Sequence, residues 1–294
     1  MGDRGRRRWW VSGCLILVAV AVLVVVTLAG LTWRSVRSAD PQSSTLVQDS
    51  ADRDRTEVAT GIPLEVLLEL DSCEVYIEPA APGEPLSVEA HYDAHDYRLE
   101  EIVDADNPGA YRVRFLVNSS RLITGIKQGL RGGQPQLRVR LPVDTPIDFK
   151  LLQRNGGAIV DLGGLNLSSA DFDIGGALLK VDADERLQGD LERFTVKGNQ
   201  GGVVLESLNL MQPKRIDIDF RMGQTLLDFR GPWLSDTTVG LSMSMADTVV
   251  RLPREARVEG LEDRPLAAPQ DEELRPPTLT FEVESGKRTS LRVF

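Results

Sequence analysis

The chain is 294 residues long, 41% apolar and 27% charged, an ordinary balance for a packed core. Beyond residue 37, 28 basic residues stand against 43 acidic ones, a net charge of −15 that excludes nucleic acid as a partner. Its two cysteines, Cys14 and Cys73, cannot build a disulfide framework, and 26 glycines with 16 prolines favour many short strands over a few long helices.

Residues 1–8 are a basic tail carrying Arg4, Arg6, Arg7 and Arg8. No charge occurs from Trp9 to Trp33, and Cys14 to Leu31 is almost wholly Leu, Val, Ile and Ala. A bilayer core of about 30 Å takes roughly 20 such residues as a helix. Trp9, Trp10 and Trp33 sit where indole rings favour the headgroup level, and the arginine bias places the N-terminus in the cytoplasm. The run exceeds the ~7–15 residues of a cleavable signal peptide. Val11-Ser12-Gly13-Cys14 looks like a lipobox but begins the apolar run instead of ending it. The expectation is an uncleaved signal anchor at 9–33, with the C-terminal domain periplasmic or extracellular. Residues 34–61, rich in Ser, Asp and Gln, read as a polar tether.

From 62 to 145 the chain alternates at period two. Leu64 to Leu70 and Cys73 to Glu78 are strand-like, with Asp71-Ser72 read as a turn between them. Leu86 to Ala90, Tyr111 to Val117 and Leu137 to Leu141 follow, with Arg or Glu on one face and aliphatics on the other. Cys73, beside Val75, belongs to the buried face. Helical spacing is confined to Arg121 to Leu130.

From 146 to 294 five segments share one form: an apolar alternation, a small-residue turn, then a second strand. They are 149–162, 172–181, 194–205, 216–229 and 239–252, with turns at Gly156-Gly157, Gly175-Gly176, Gly201-Gly202, Met222-Gly223 and Met245-Ala246. Successive turns lie 19, 26, 22 and 22 residues apart. A period near 22 with two strands per unit predicts an all-β outer domain, either a β-solenoid or a stack of β-hairpins. The other arrangement that fits is a β-sandwich.

Residue types that carry chemistry are sparse. His91 and His95 would share a helix face, but Tyr92 stands where a zinc protease needs its glutamate, and the segment follows a strand. No Gly-x-Ser-x-Gly elbow is present, and Cys73 has no neighbouring base. Asp182, Asp184, Glu185 and Asp190 offer oxygens without the spacing of a calcium loop, and read as an acidic surface loop. Asp171 with Asp173, and Asp217 with Asp219, alternate with apolar residues and read as the wet face of strands. Gly125 to Gly133 lacks the Gly-Lys-Ser/Thr end of a phosphate loop. No catalytic, cofactor or metal site is expected. The basic, apolar island Arg121, Leu122, Ile123, Ile126, Lys127, Leu130 and Arg131 is the candidate contact for a partner or lipid headgroup.

The stretch Ile216-Asp217-Ile218-Asp219-Phe220 to Phe229, followed by Thr238-Val239-Gly240-Leu241 to Leu252-Pro253, resembles the bacterial toast-rack and adhesin-like envelope families, as do the closing strands around Leu279 to Val283 and Leu291 to Phe294. The resemblance covers roughly 147–294 and implies a membrane-associated, solenoid-like all-β domain with no agreed catalytic residues. The function expected is a membrane-anchored, non-enzymatic structural or interaction module of the envelope, partnered by the membrane and by an envelope or membrane protein. The other class the sequence fits is a ligand-sensing or regulatory subunit of an envelope stress-response system.

Overall fold

The computed structural model describes residues 62–94, 96–118, 135–261, 276–286 and 289–294, with a short strand at 46–49. The tail at 1–8, the span at 9–33, most of the tether, His95 and the Arg121–Arg131 island lie outside the described residues. Among the described residues no helix is long and apolar enough to cross a membrane.

The period-two alternation produces strands longer than expected. In β2 (Leu64–Pro79) the buried side chains are Leu64, Val66, Leu68 and Leu70, then Cys73, Val75 and Ile77. The alternation therefore slips by one residue at Asp71-Ser72. The strand bends there instead of turning back, and both arms keep their apolar side chains on the same side. β7 (Ile147–Asp161), β8 (Leu167–Asp182) and β9 (Arg193–Leu205) bend the same way. In the next units the bend splits the strand, into β10 (Arg215–Phe220) with β11 (Gly223–Asp228), and β12 (Thr237–Met243) with β13 (Ala246–Arg251).

These units stack in parallel, each arm on the corresponding arm of its neighbour, from β2 through β7, β8 and β9 to β10–β11 and β12–β13. The last pair, β15 (Thr278–Ser285) and β16 (Ser290–Val293), lies parallel to β12 and β13. Each unit is thus one rung, and the two arms of a rung do not pair with each other, so the stacked-hairpin arrangement is not the one adopted. The physical reason is the bend: a one-residue slip redirects the strand without reversing it. Antiparallel pairing is confined to the N-terminal end. There β3 (Ser87–Tyr92) pairs with β1 (Leu46–Asp49) and β6 (Gln136–Leu141), and β4 (Tyr97–Val103) pairs with β5 (Ala110–Val117). β1 falls inside the stretch expected to be a structureless tether, where it covers an otherwise open edge of β3. A three-residue strand, β14 (Arg257–Glu259), borders β15, and all sixteen strands belong to one sheet.

Register explains the small residues. Cys73, Gly156, Ala177, Gly201, Gly223 and Ala246 are mutual partners down the stack. A side chain at Gly156 would place its Cβ 2.0 Å from the carbonyl oxygen of Cys73, and at Gly201 2.0 Å from that of Ala177. The true rung spacings are therefore 21, 24, 22 and 23 residues, more even than the glycine count suggested, because Ala177 and not Gly175 is the equivalent corner. Buried at the bend, Gln153 donates from Nε2 to the carbonyls of Cys73 (3.0 Å), Asn155 (3.2 Å) and Gly157 (3.2 Å), tying the two neighbouring corners together.

The core is continuous from rung to rung. Phe172, Val196, Ile218 and Leu241 form one buried ladder, so Ile218 meets Val196 and Leu241 as the strand faces predicted. Phe149, Phe172 and Phe194 pack with centroids 5.7 and 5.4 Å apart. Gly198 makes room for the ring of Phe220, which an added Cβ would meet at 2.4 Å. The connections after β7, β8, β9 and β11 bury Leu165, Leu187, Leu208 and Trp233 against this core, helped by one turn of helix, α1 (Leu208–Met211). Those connections also step from rung to rung: Gln188 N–H donates to Leu165 C=O, and Leu187 N–H to Leu210 C=O.

Candidate functional site

Two open grooves follow from this stacking. The first lies on the outer face of the first arm, over the N-terminal rungs, with a volume of ≈ 930 Å³. β5 lies on one side of β2 and β7 on the other, so Ala110 to Arg112 and Asp148 to Lys150 flank Glu65 to Leu67 in its floor, with Ile102 to Ala105 beyond β5. Two of its acidic side chains are engaged within the groove. Arg193 pairs with Asp171 at 3.4 Å, and Ser169 donates to Asp148 at 3.0 Å. Tyr111 donates to Glu101 Oε2 at 2.6 Å; burial, together with that hydrogen bond, holds the phenol well above its ordinary pKa.

The second groove runs along the bends, with a volume of ≈ 1090 Å³. The outward residues of successive corners line it: Arg154 and Asn155, then Gly175 and Gly176, then Asn199 and Gln200, then Arg221 and Met222, then Ser244 and Met245. The glycine pair leaves a notch between two amide-bearing rungs. Met245 adopts a left-handed backbone (φ 55°) at the position preceding the Ala246 corner. That conformation costs a non-glycine residue roughly 1 kcal/mol or more, and it keeps a thioether on the exposed rim. Among the described residues of the lining, Arg154 and Arg221 stand against Asp219 and Glu284. The groove can therefore hydrogen-bond a neutral ligand through side-chain amides and hydroxyls, and it holds no histidine or cysteine.

Sequence reasoning did not single out this groove, because its parts are 20-odd residues apart and individually unremarkable. The only signal was an amide side chain immediately before the corner glycine in two of the rungs, Asn155-Gly156 and Gln200-Gly201.

The other candidates fall apart from one another. The Arg121–Arg131 island is outside the described residues. His91 is exposed on β3, a strand and not a helix. Cys73 is 1% exposed in the core, and burial, followed by the nearby Asp71 and Glu74 carboxylates, pushes its thiol up to about 12. Such a thiol is protonated at neutral pH and is a core filler. Asp171, Asp173, Asp217 and Asp219 do lie on the wet face. In the acidic loop Asp182 Oδ1 accepts from the Ala183 N–H, and among the described residues no three His, Cys, Asp or Glu side chains converge. Unexpectedly for a wet face, the second arm also exposes Ile159 and Leu178, at 50% and 58%.

No protein-family model matches the chain, and no curated protein does. Its fold is similar to the crystal structure of a candidate cell-adhesion protein from Clostridium sporogenes, with 12% identity over 79% of this chain and 92% of that one, and a TM-score of 0.39.

Proposed function

We propose that the protein is a membrane-tethered, non-enzymatic module of the bacterial envelope, whose outer domain is a β-solenoid presenting an adhesin-like interaction surface away from the bilayer. The observation that carries the solenoid reading is that first arms and second arms step in parallel from rung to rung, and that the return connections after β7, β8 and β9 step with them. Such a stack presents laddered outer faces, suited to contact over an extended surface. The membrane part of the reading rests on the apolar span 9–33 with its arginine flank. The non-enzymatic part rests on the placement of reactive groups: Cys73 is sealed in the core, His91 is isolated on a strand, and many outer carboxylates are engaged by arginine or lysine. A second reading, a ligand-sensing or regulatory subunit, is favoured by the corner groove alone.

Thiol labelling tests the tether. A cysteine placed between Ser38 and Ser44 is expected to react with an impermeant maleimide on intact spheroplasts, and one placed before Arg8 is not. Cys73 will stay silent because it is buried with a raised pKa. The reverse labelling pattern overturns the orientation and with it the envelope assignment.

A further inference from the structure

We propose that the corner groove is a binding site for an extended, neutral glycan strand. The proposal builds on the reading of the outer domain as an interaction surface and does not depend on the membrane tether.

The groove crosses six rungs, from Asn155 on β7 to Gly286 beside β16, so its lining recurs at the inter-strand distance of about 4.8 Å. That recurrence is close to the rise per ring of an extended β-linked glycan. A linear polymer lying along the stack therefore meets a like environment at every unit, over roughly 24 Å.

Asn155, Asn199 and Gln200 each present a donor and an acceptor to solvent, which match hydroxyl and acetamido groups in either orientation. The backbone at the corners is already paired, Asn155 with Gly176 and Gly176 with Gln200. A peptide seeking main-chain hydrogen bonds finds none to take up, whereas a ligand read by side chains does. Among the described lining residues Asp219 and Glu284 offset Arg221, and Arg154 is already held by Asp71 at 2.8 Å, so these four give an anionic polymer no net attraction.

Gly175 and Gly176 lower the floor between Asn155 and the Asn199–Gln200 pair, while Met222 and Met245 offer exposed thioethers against which the C–H faces of sugar rings can lie.

The test is calorimetric titration of the full chain with N-acetylglucosamine hexamer and with glucose hexamer, each compared with its dimer. We expect saturable binding of at least one hexamer, much weaker binding of its dimer, and little change between low and high salt. The better of the two hexamers reports whether acetamido groups are read. Asn199→Ala combined with Gln200→Ala removes two hydrogen-bonding amides and is expected to weaken binding about tenfold. Gly176→Leu is expected to abolish binding by filling the notch. Its Cβ meets nothing closer than the Asn155 side chain at 3.2 Å and needs no left-handed backbone, so urea melting should be nearly unchanged. Three outcomes overturn the proposal: no binding of either hexamer, binding indifferent to both variants, or salt-sensitive binding of polyglutamate or polyphosphate in preference to the glycans. The thiol-labelling result is independent of all of these.

Discussion

Replacing Ile218 with Ala is expected to cost about 2–5 kcal/mol, measured by urea melting of the outer domain begun at Ser38 so that β1 is retained. Ile218 is 2% exposed, and its rung partners Val196 and Leu241 lie on either side of it in the core ladder. The neighbouring rungs are fixed by their own ladders and cannot collapse far into the void, which places the effect in the upper half of that range. Asp219→Ala, one position along the strand, removes an exposed side chain and is expected to stay within about ±0.5 kcal/mol. Equal destabilisation by the two would mean that the first arm does not bury alternate residues, and the stacked-rung description would fail with it.

Gly223→Ala is expected to be at least as damaging, about 3 kcal/mol or more, although it adds a single methyl group. Gly223 has φ +136°, and its Cβ would lie 2.0 Å from the Gly201 carbonyl oxygen. That oxygen belongs to the rung beneath, so relief requires separating two rungs, not merely turning a side chain. Gly157→Ala is the matched control. It sits one residue past a corner, has no left-handed backbone, and a Cβ there meets nothing within 4 Å. Its melting midpoint is expected to move little, and in the stabilising direction if at all. If Gly157→Ala were the more harmful change, the role assigned to the corner residues would be wrong.

The contrast between these glycines marks the limit of sequence reading. Gly156-Gly157, Gly175-Gly176 and Gly201-Gly202 look alike as dipeptides, yet their members do different things. In the first and third pairs the leading glycine is the corner. In the second pair neither is, and Ala177 takes that place. The distinction depends on which carbonyl of the neighbouring rung approaches, a contact between residues more than 20 positions apart.

The local alternation of the chain determined a great deal by itself. It specified strands, and it specified the buried face of each: Phe172, Phe194, Ile216, Ile218, Val239 and Leu241 are all in the core. It also made stacking necessary, since a strand with one apolar face must cover it. Only the tertiary structure decided that rungs pair in parallel instead of folding back as hairpins. A small-residue turn permits either result, and the choice depends on whether the backbone bends or reverses at the corner. Likewise, the stack begins at β2, more than 60 residues before the obvious repeats, because β2 has the same one-residue slip at Asp71-Ser72 with a cysteine in the corner position. The groove is the extreme case. Its amides come from distant positions such as Asn155 and Gln200, and parallel register alone brings them onto one line of corners with Gly176 between them. Alternation is a property of neighbouring residues and survives in the sequence, whereas register is a property of strand pairs and exists only once the chain has folded.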